Sequence, residues 1–205
     1  MSLVFYYAPM STAVVTHWVL EELGIPYEKV KLDFAAGDTK KPDFLKINPN
    51  GVVPVIVHDG QPIFESAAIT IYLGETFGTQ KGVFPAAGPQ RGQAISWIVW
   101  GNVTFGGALA RHQFAASERI PAEQRNAEAA KVAHGEVERL FKLLDGVLEG
   151  KQWLVGDSFS LADAHVASFV VYSTFVGFDT KPYANLEAWR ARATARPGYG
   201  VSMTP

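Results

Sequence analysis

The spacing of apolar and polar positions changes several times along the chain, and each change predicts an element. Leu3-Val4-Phe5-Tyr6-Tyr7 is an unbroken apolar and aromatic run, which predicts a strand ended by Ala8-Pro9. After Met10-Ser11-Thr12, apolar Val15, Val19 and Leu23 recur every four positions, the period of one helix face, until Gly24 and Pro26 stop it. Residues 27–32 alternate weakly and predict a second strand. Strand, helix, strand in about thirty residues is a βαβ unit, so these two strands should be parallel. Residues 34–41 are polar and contain a glycine, which predicts a loop, and 42–47 predict a short helical turn with Phe44 and Leu45 inward.

Residues 52–57 form a β-branched run broken only by Pro54, and Asp59-Gly60 then predicts a tight hairpin turn with 62–64 returning. Glu65-Ser66 stands directly before a helix marked by Ile69, Leu73 and Phe77, with Ser66 as its N-cap. Glycines and prolines crowd 78–89, and beyond them only helical periods occur. Ile95, Ile98, Val99, Asn102 and Val103 predict one face of a helix that Gly106-Gly107 bends. Val132 or Ala133, then Val137, Leu140, Phe141, Leu144 and Leu148, make the cleanest stripe, and Leu186, Trp189 and Ala193 mark a last helix. A βαβ unit followed by ββα in 1–78, a linker at 79–89 and an all-helical 90–205 is the organisation this implies.

Residues 164–171 are apolar almost all round, which predicts a central buried helix. Ser160 and Asp163 have the spacing of a capping box at its start, read here as a folding signal and not as a catalytic pair. A formal net charge of −2 gives no basic footprint for nucleic acid. The absence of a basic leader and of a long apolar span predicts neither secretion nor membrane insertion, leaving a cytoplasmic protein as the expectation. With no cysteine, the chain has no disulfide, no thiolate ligand and no thiol nucleophile of its own. The five histidines show no metal-ligand spacing, so no metal is expected. His17 is placed on the first helix, His165 in the buried one, and His112 at the surface.

Pro54 inside a strand-like run is the sharpest anomaly, because it removes a ladder donor. A strand that begins at Pro54 after a cis Val53-Pro54 bond resolves it, and leaves the Val53 main chain free for a ligand. Helix N–H groups at Ser66 attract a carboxylate and Glu65 meets an ammonium, so a zwitterionic group has complementary partners there. The order VP, strand, DG turn, ES, helix resembles the glutathione-binding half of a glutathione S-transferase, and the resemblance extends over nearly the whole chain. It implies a thioredoxin-like α/β N-terminal domain followed by an all-α helical bundle. It also implies glutathione as co-substrate, a small apolar electrophile as its partner, and a homodimer.

By the same resemblance Val53 and Pro54 pair with the cysteinyl backbone of glutathione, and Glu65 with Ser66 holds the γ-glutamyl end. PMST at 9–12 resembles the serine-using phi-type enzymes, which makes Ser11 the preferred donor to the sulfur. Tyr7, placed like the tyrosine of the alpha, mu and pi classes, and Thr12, placed like the beta-class cysteine, are its rivals. Lys40 matches a lysine that receives the glycine carboxylate, while Thr39 and Val52 depart from the phi pattern. Met10 and Phe105 are candidate walls for the electrophile. Isomerase, dehalogenase or peroxidase activity on the same fold, or a non-enzymatic binding protein, are the alternatives.

Overall fold

The computed structural model describes residues 2–204. The elements are β1 (Leu3–Tyr7), α1 (Ala13–Leu23), β2 (Glu28–Lys31), α2 (Pro42–Ile47), β3 (Val55–His58), β4 (Gln61–Phe64) and α3 (Ser66–Leu73). Helices α4 (Pro89–Trp100), α5 (Gly106–Ala116), α6 (Ala127–Val147), α7 (Leu161–Phe175), α8 (Ala184–Thr194) and α9 (Pro197–Ser202) follow. The four strands form one sheet in the order β2-β1-β3-β4. β1 and β2 are parallel, as the βαβ pattern requires, and β3 runs antiparallel to both β1 and β4. The β3–β4 turn is the two-residue Asp59-Gly60, with φ of 46° and 81°. Positive φ at both positions suits the right-handed twist of a hairpin.

Alternation along β1 divides the sheet into two covered faces. Phe5 is fully buried and stands 5.8 Å, ring to ring, from His17 of α1. Tyr6 points the other way, 5.9 Å from Phe44 of α2. α1 and α3 pack together on the first face, and both also touch α7. α7 is therefore the central helix, buried almost throughout, as its all-round apolarity predicted.

Close approach of neighbouring side chains explains the glycines at two helix junctions. A π-helical turn at Gly74–Gly78 extends α3, and a methyl group on Gly74 would lie 2.7 Å from the Phe84 ring. A second π-helical turn, Gly101–Phe105, joins α4 to α5, and there a Cβ at Gly106 would lie 2.9 Å from Phe169 of α7. Widened turns of this kind re-aim a helix. The bend expected from Gly106-Gly107 thus begins at 101, and its inward face is Ala94, Ile98, Gly101 and Phe105. Val99 and Val103, expected on that face, are instead exposed. In α6 the stripe starts at Ala133, with Val132 outside.

The Ser160–Asp163 box caps α7. Asp163 Oδ2 accepts from the Ser160 N–H and hydroxyl, and Oδ1 accepts from the Leu154 N–H and Trp189 Nε1, all at 2.9 Å. The carboxylate thereby joins the cap, the preceding loop and α8.

Candidate active site

Strand directions bring three chain segments to one end of the sheet. β1 ends where β3 begins, because Tyr6 pairs with Val55, and β4 ends there too, because Val55 pairs with Phe64. The β1–α1 loop, the Val53-Pro54 turn and the Glu65-Ser66 junction are consequently neighbours. Ser11, Val53, Pro54, Glu65 and Ser66, separated by up to 55 positions in sequence, share this rim.

The Val53-Pro54 bond is cis, and β3 begins at Val55, one residue after the Pro54 start expected from the strand pattern. The Val53 N–H has no hydrogen-bond partner among the described residues, while its carbonyl accepts a long 3.4 Å bond from the Thr12 hydroxyl. The expectation that both groups are free therefore holds for the N–H and is modified for the carbonyl. Two further bonds shape the approach to this turn. Asn48 Nδ2 donates to Val52 O at 2.8 Å, and Lys40 Nζ donates to Gly51 O at 2.9 Å. A Cβ on Gly51, whose φ is 61°, would sit 2.8 Å from Lys40 Nζ and from Thr39 O, so this close approach admits only glycine. Lys40 lies at this turn, with its ammonium attached to the turn's main chain.

At α1 the helix begins at Ala13, and Thr12 at its N-cap position makes no side-chain cap. The capping work is done one residue earlier. Ser11 Oγ accepts from Ala13 N at 3.2 Å and donates to Ala8 O at 2.7 Å. The N–H groups of Ser11 and Thr12 have no partner among the described residues, so the positive end of the helix faces the rim. Tyr7 is directed elsewhere. Its ring stacks on Phe5 at 5.5 Å, lies 6.4 Å from His17 and carries Lys29 Nζ at 5.8 Å. Met10 is 84% exposed beside the rim, whereas Phe105 is fully buried between Trp100 and Phe141 and is core, not a pocket wall.

Glu65 has φ of 69°, a left-handed value uncommon for a residue with a Cβ, and its side chain is exposed. This backbone twist starts α3 one residue earlier than the sequence pattern implies. Ser66 is the first helical residue and not the N-cap, so its hydroxyl is not spent on the helix's own N–H groups. It goes instead to Asn102 Oδ1, at 3.1 Å. Asn102 Oδ1 is also 2.6 Å from His165 Nε2, and His165 Nδ1 is 2.9 Å from Thr70 Oγ1, which donates to Ser66 O at 2.9 Å. Full burial holds His165 neutral, with its pKa pushed down to about 3. Sequence reading missed Asn102 as a partner of Ser66. The available signal was a polar residue inside an apolar stripe, since an amide drawn partly out of water has to find a hydrogen bond.

Two family models match the chain, the glutathione S-transferase N-terminal domain over residues 1–75 and the C-terminal domain over 108–197. Glutathione S-transferase GstB of Escherichia coli strain K12 is 35% identical over 180 residues, covering 87% of this chain and 86% of its own. The chain belongs to the glutathione S-transferase family. Another relative, the disulfide-bond oxidoreductase YfcG of E. coli K12, is 31% identical over 97% of this chain and 93% of its own. Among solved structures, the glutathione transferase URE2P8 of Phanerochaete chrysosporium with oxidized glutathione superposes with a TM-score of 0.88 at 26% identity. That match covers 98% of this chain and 93% of the other. Among the described residues no group of three or more metal-type side chains converges, and no helix is long and apolar enough to cross a membrane.

Proposed function

We propose that the chain is a serine-type glutathione transferase, which adds the glutathione thiolate to carbon of a small apolar electrophile. The observation that carries this is the register of the sheet rim, which sets an unpaired main-chain N–H at Val53 beside an acid and a helix start at Glu65-Ser66. In this reading the Val53 N–H pairs with the cysteinyl carbonyl of glutathione beside Pro54. Glu65 meets the γ-glutamyl ammonium, the Ser66 end of α3 takes the α-carboxylate, and Lys40 faces the glycine carboxylate.

The sulfur then lies at the start of α1. An ordinary thiol of pKa about 8.5 is roughly 3% ionised at pH 7, so full ionisation raises the thiolate at most about thirty-fold. Ser11 supplies part of that by turning its hydroxyl from Ala8 O to the sulfur. It exchanges a neutral hydrogen bond for a charge-assisted one of about twice the strength. Positioning the electrophile against the sulfur supplies the rest. The proposed assembly is a cytoplasmic homodimer, and the exposed Val99 and Val103, one turn apart, are in keeping with a covered face there. The proposed division remains 1–78, linker 79–89 and 90–205.

Conjugation of 1-chloro-2,4-dinitrobenzene by wild type and Ser11→Ala tests the reading. Wild-type turnover is expected, with kcat/KM about three- to ten-fold lower at pH 7 in Ser11→Ala and the deficit shrinking as pH rises past the thiol pKa. Unchanged turnover in Ser11→Ala rejects Ser11. A wild type that binds glutathione yet turns over no electrophile moves the chain to a binding role.

The relative named as a disulfide-bond oxidoreductase favours one second reading. With no cysteine in the chain, exchange has to run through bound glutathione. One glutathione thiolate attacks the disulfide and releases one thiolate product. A second glutathione attacks the mixed disulfide, giving oxidized glutathione and the second thiol. Reduction of hydroxyethyl disulfide faster than dinitrobenzene conjugation selects this reading.

A further inference from the structure

Three titratable side chains meet at the end of the sheet opposite the rim that carries Val53 and Ser66. His58 ends β3, Asp59 opens the hairpin turn, and Tyr72 lies on α3, about 9 Å along the helix from Ser66. The Tyr72 hydroxyl is 2.6 Å from His58 Nδ1, and Asp59 Oδ2 is 3.7 Å from His58 Nε2. The imidazole also packs on the Phe77 ring, 5.6 Å away, so its orientation is held from two sides. His58 is largely buried, Tyr72 is half-buried and Asp59 is 63% exposed, which brings the group to the surface.

The carboxylate decides which atom donates. Nε2 is buried without a hydrogen-bond partner among the described residues, and it faces Asp59. A proton on Nε2 is attracted to that charge, whereas a bare lone pair there is repelled by it. The neutral ring therefore favours the Nε2–H tautomer, and the Tyr72 hydroxyl donates to Nδ1. A phenol held in this way has a base in place to take its proton. Among the described residues no other tyrosine meets a ring nitrogen. Tyr27 donates to the Glu21 carboxylate, a much weaker base, and burial with that charge pushes its hydroxyl up. The Tyr183 hydroxyl reaches only a main-chain carbonyl.

We propose that Tyr72, with His58 as its general base, is a nucleophilic site that takes an acyl group from an activated ester. The Tyr72 oxygen attacks the ester carbonyl while its proton passes to His58 Nδ1. The tetrahedral adduct then expels the leaving phenolate, which receives that proton, and an aryl ester remains on Tyr72. No residue is shared with the thiol site proposed above, so each reading can fail without the other.

Acetylation by p-nitrophenyl acetate at pH 7 without glutathione, read by peptide mapping, tests this, with thermal melts as the check on folding. Tyr172, 41% exposed and with no hydroxyl contact among the described residues, is the internal reference. Tyr72 is expected to be acetylated at least about ten-fold faster than Tyr172. Hydroxylamine should release that label, as it does from an aryl ester and not from a lysine amide, and Tyr72→Phe should lose it. His58→Asn keeps an acceptor near the hydroxyl but cannot take up its proton, and it should bring Tyr72 within about three-fold of Tyr172.

Equal labelling of Tyr72 and Tyr172 in the wild type overturns the proposal, and this comparison needs no variant to fold. An undiminished preference for Tyr72 in a folded His58→Asn also overturns it, because the hydrogen bond and not the base is then responsible.

Discussion

Replacing Asp163 by alanine deprives four donors of their acceptor at once. The Ser160 hydroxyl is free to rotate, but the Leu154 and Ser160 N–H groups and Trp189 Nε1 are fixed in place. Each buried donor left unpaired costs about 1–3 kcal/mol, and some regain water as the cap loosens. A net loss of about 3–5 kcal/mol follows, the range measured when one partner of a buried charged contact is removed. Against a typical total of about 5–15 kcal/mol this is a large fraction. For a chain of this size it corresponds to a fall of about 6–20 °C in Tm.

Asp163→Asn separates the electrostatic explanation from simple packing. It has nearly the shape of Asp163, so a cavity argument predicts little change. The hydrogen-bond argument predicts a loss close to that of alanine, because the amide NH2 is set against two of the N–H or O–H donors. Burial raises the Asp163 carboxyl above its ordinary range against the pull of the same donors, and those four donors suit a group that only accepts and not an amide. Urea unfolding followed by tryptophan fluorescence reads both variants, with Trp189 itself at the site. An Asp163→Asn protein within about 1 kcal/mol of wild type refutes the reasoning.

Three other outcomes follow from the packing and the buried rings. His165 has a folded pKa of about 3 against about 6.5 unfolded, so stability is held above pH 6.5 and lost as pH falls. Between pH 7 and pH 5 this group alone removes about 2 kcal/mol, and His165→Asn should show a pH slope shallower by that amount; parallel slopes exclude the assignment. Gly106→Ala places a methyl 2.9 Å from Phe169 and 3.1 Å from Gly101 O, and urea unfolding should show it about 1–3 kcal/mol less stable. Gly135→Ala, on the exposed side of α6 with nothing within 4 Å, should be up to about 1 kcal/mol more stable, and equal signs for the two glycines contradict the packing account.

What the sequence showed and what it hid divide according to the range of the forces involved. The hairpin at Asp59-Gly60 and the Ser160–Asp163 cap are specified by residues within a few positions of one another, the βαβ crossover by three consecutive local patterns, and each appears as read. The candidate residues Val53, Pro54, Glu65 and Ser66 share one rim because strand pairing carries local patterns to a common end of the sheet. Ser66 was misplaced by one position, since no propensity foretells a left-handed Glu65. Only the geometry of the junction between β4 and α3 imposes it.

Long-range pairing was illegible in its partners but not in its existence. Asn102 lies 36 positions from Ser66 and 63 from His165, and nothing local joins them. Yet each stands as a polar residue in an apolar helical pattern, and an amide and an imidazole taken out of water cost several kcal/mol unless they find partners. Two such residues on helices that both have to pack against α3 form a short list of possible pairs. The hydrogen-bond requirement that makes them costly is what makes them informative, and in this chain it leads from the buried helix to the one hydroxyl at the start of α3.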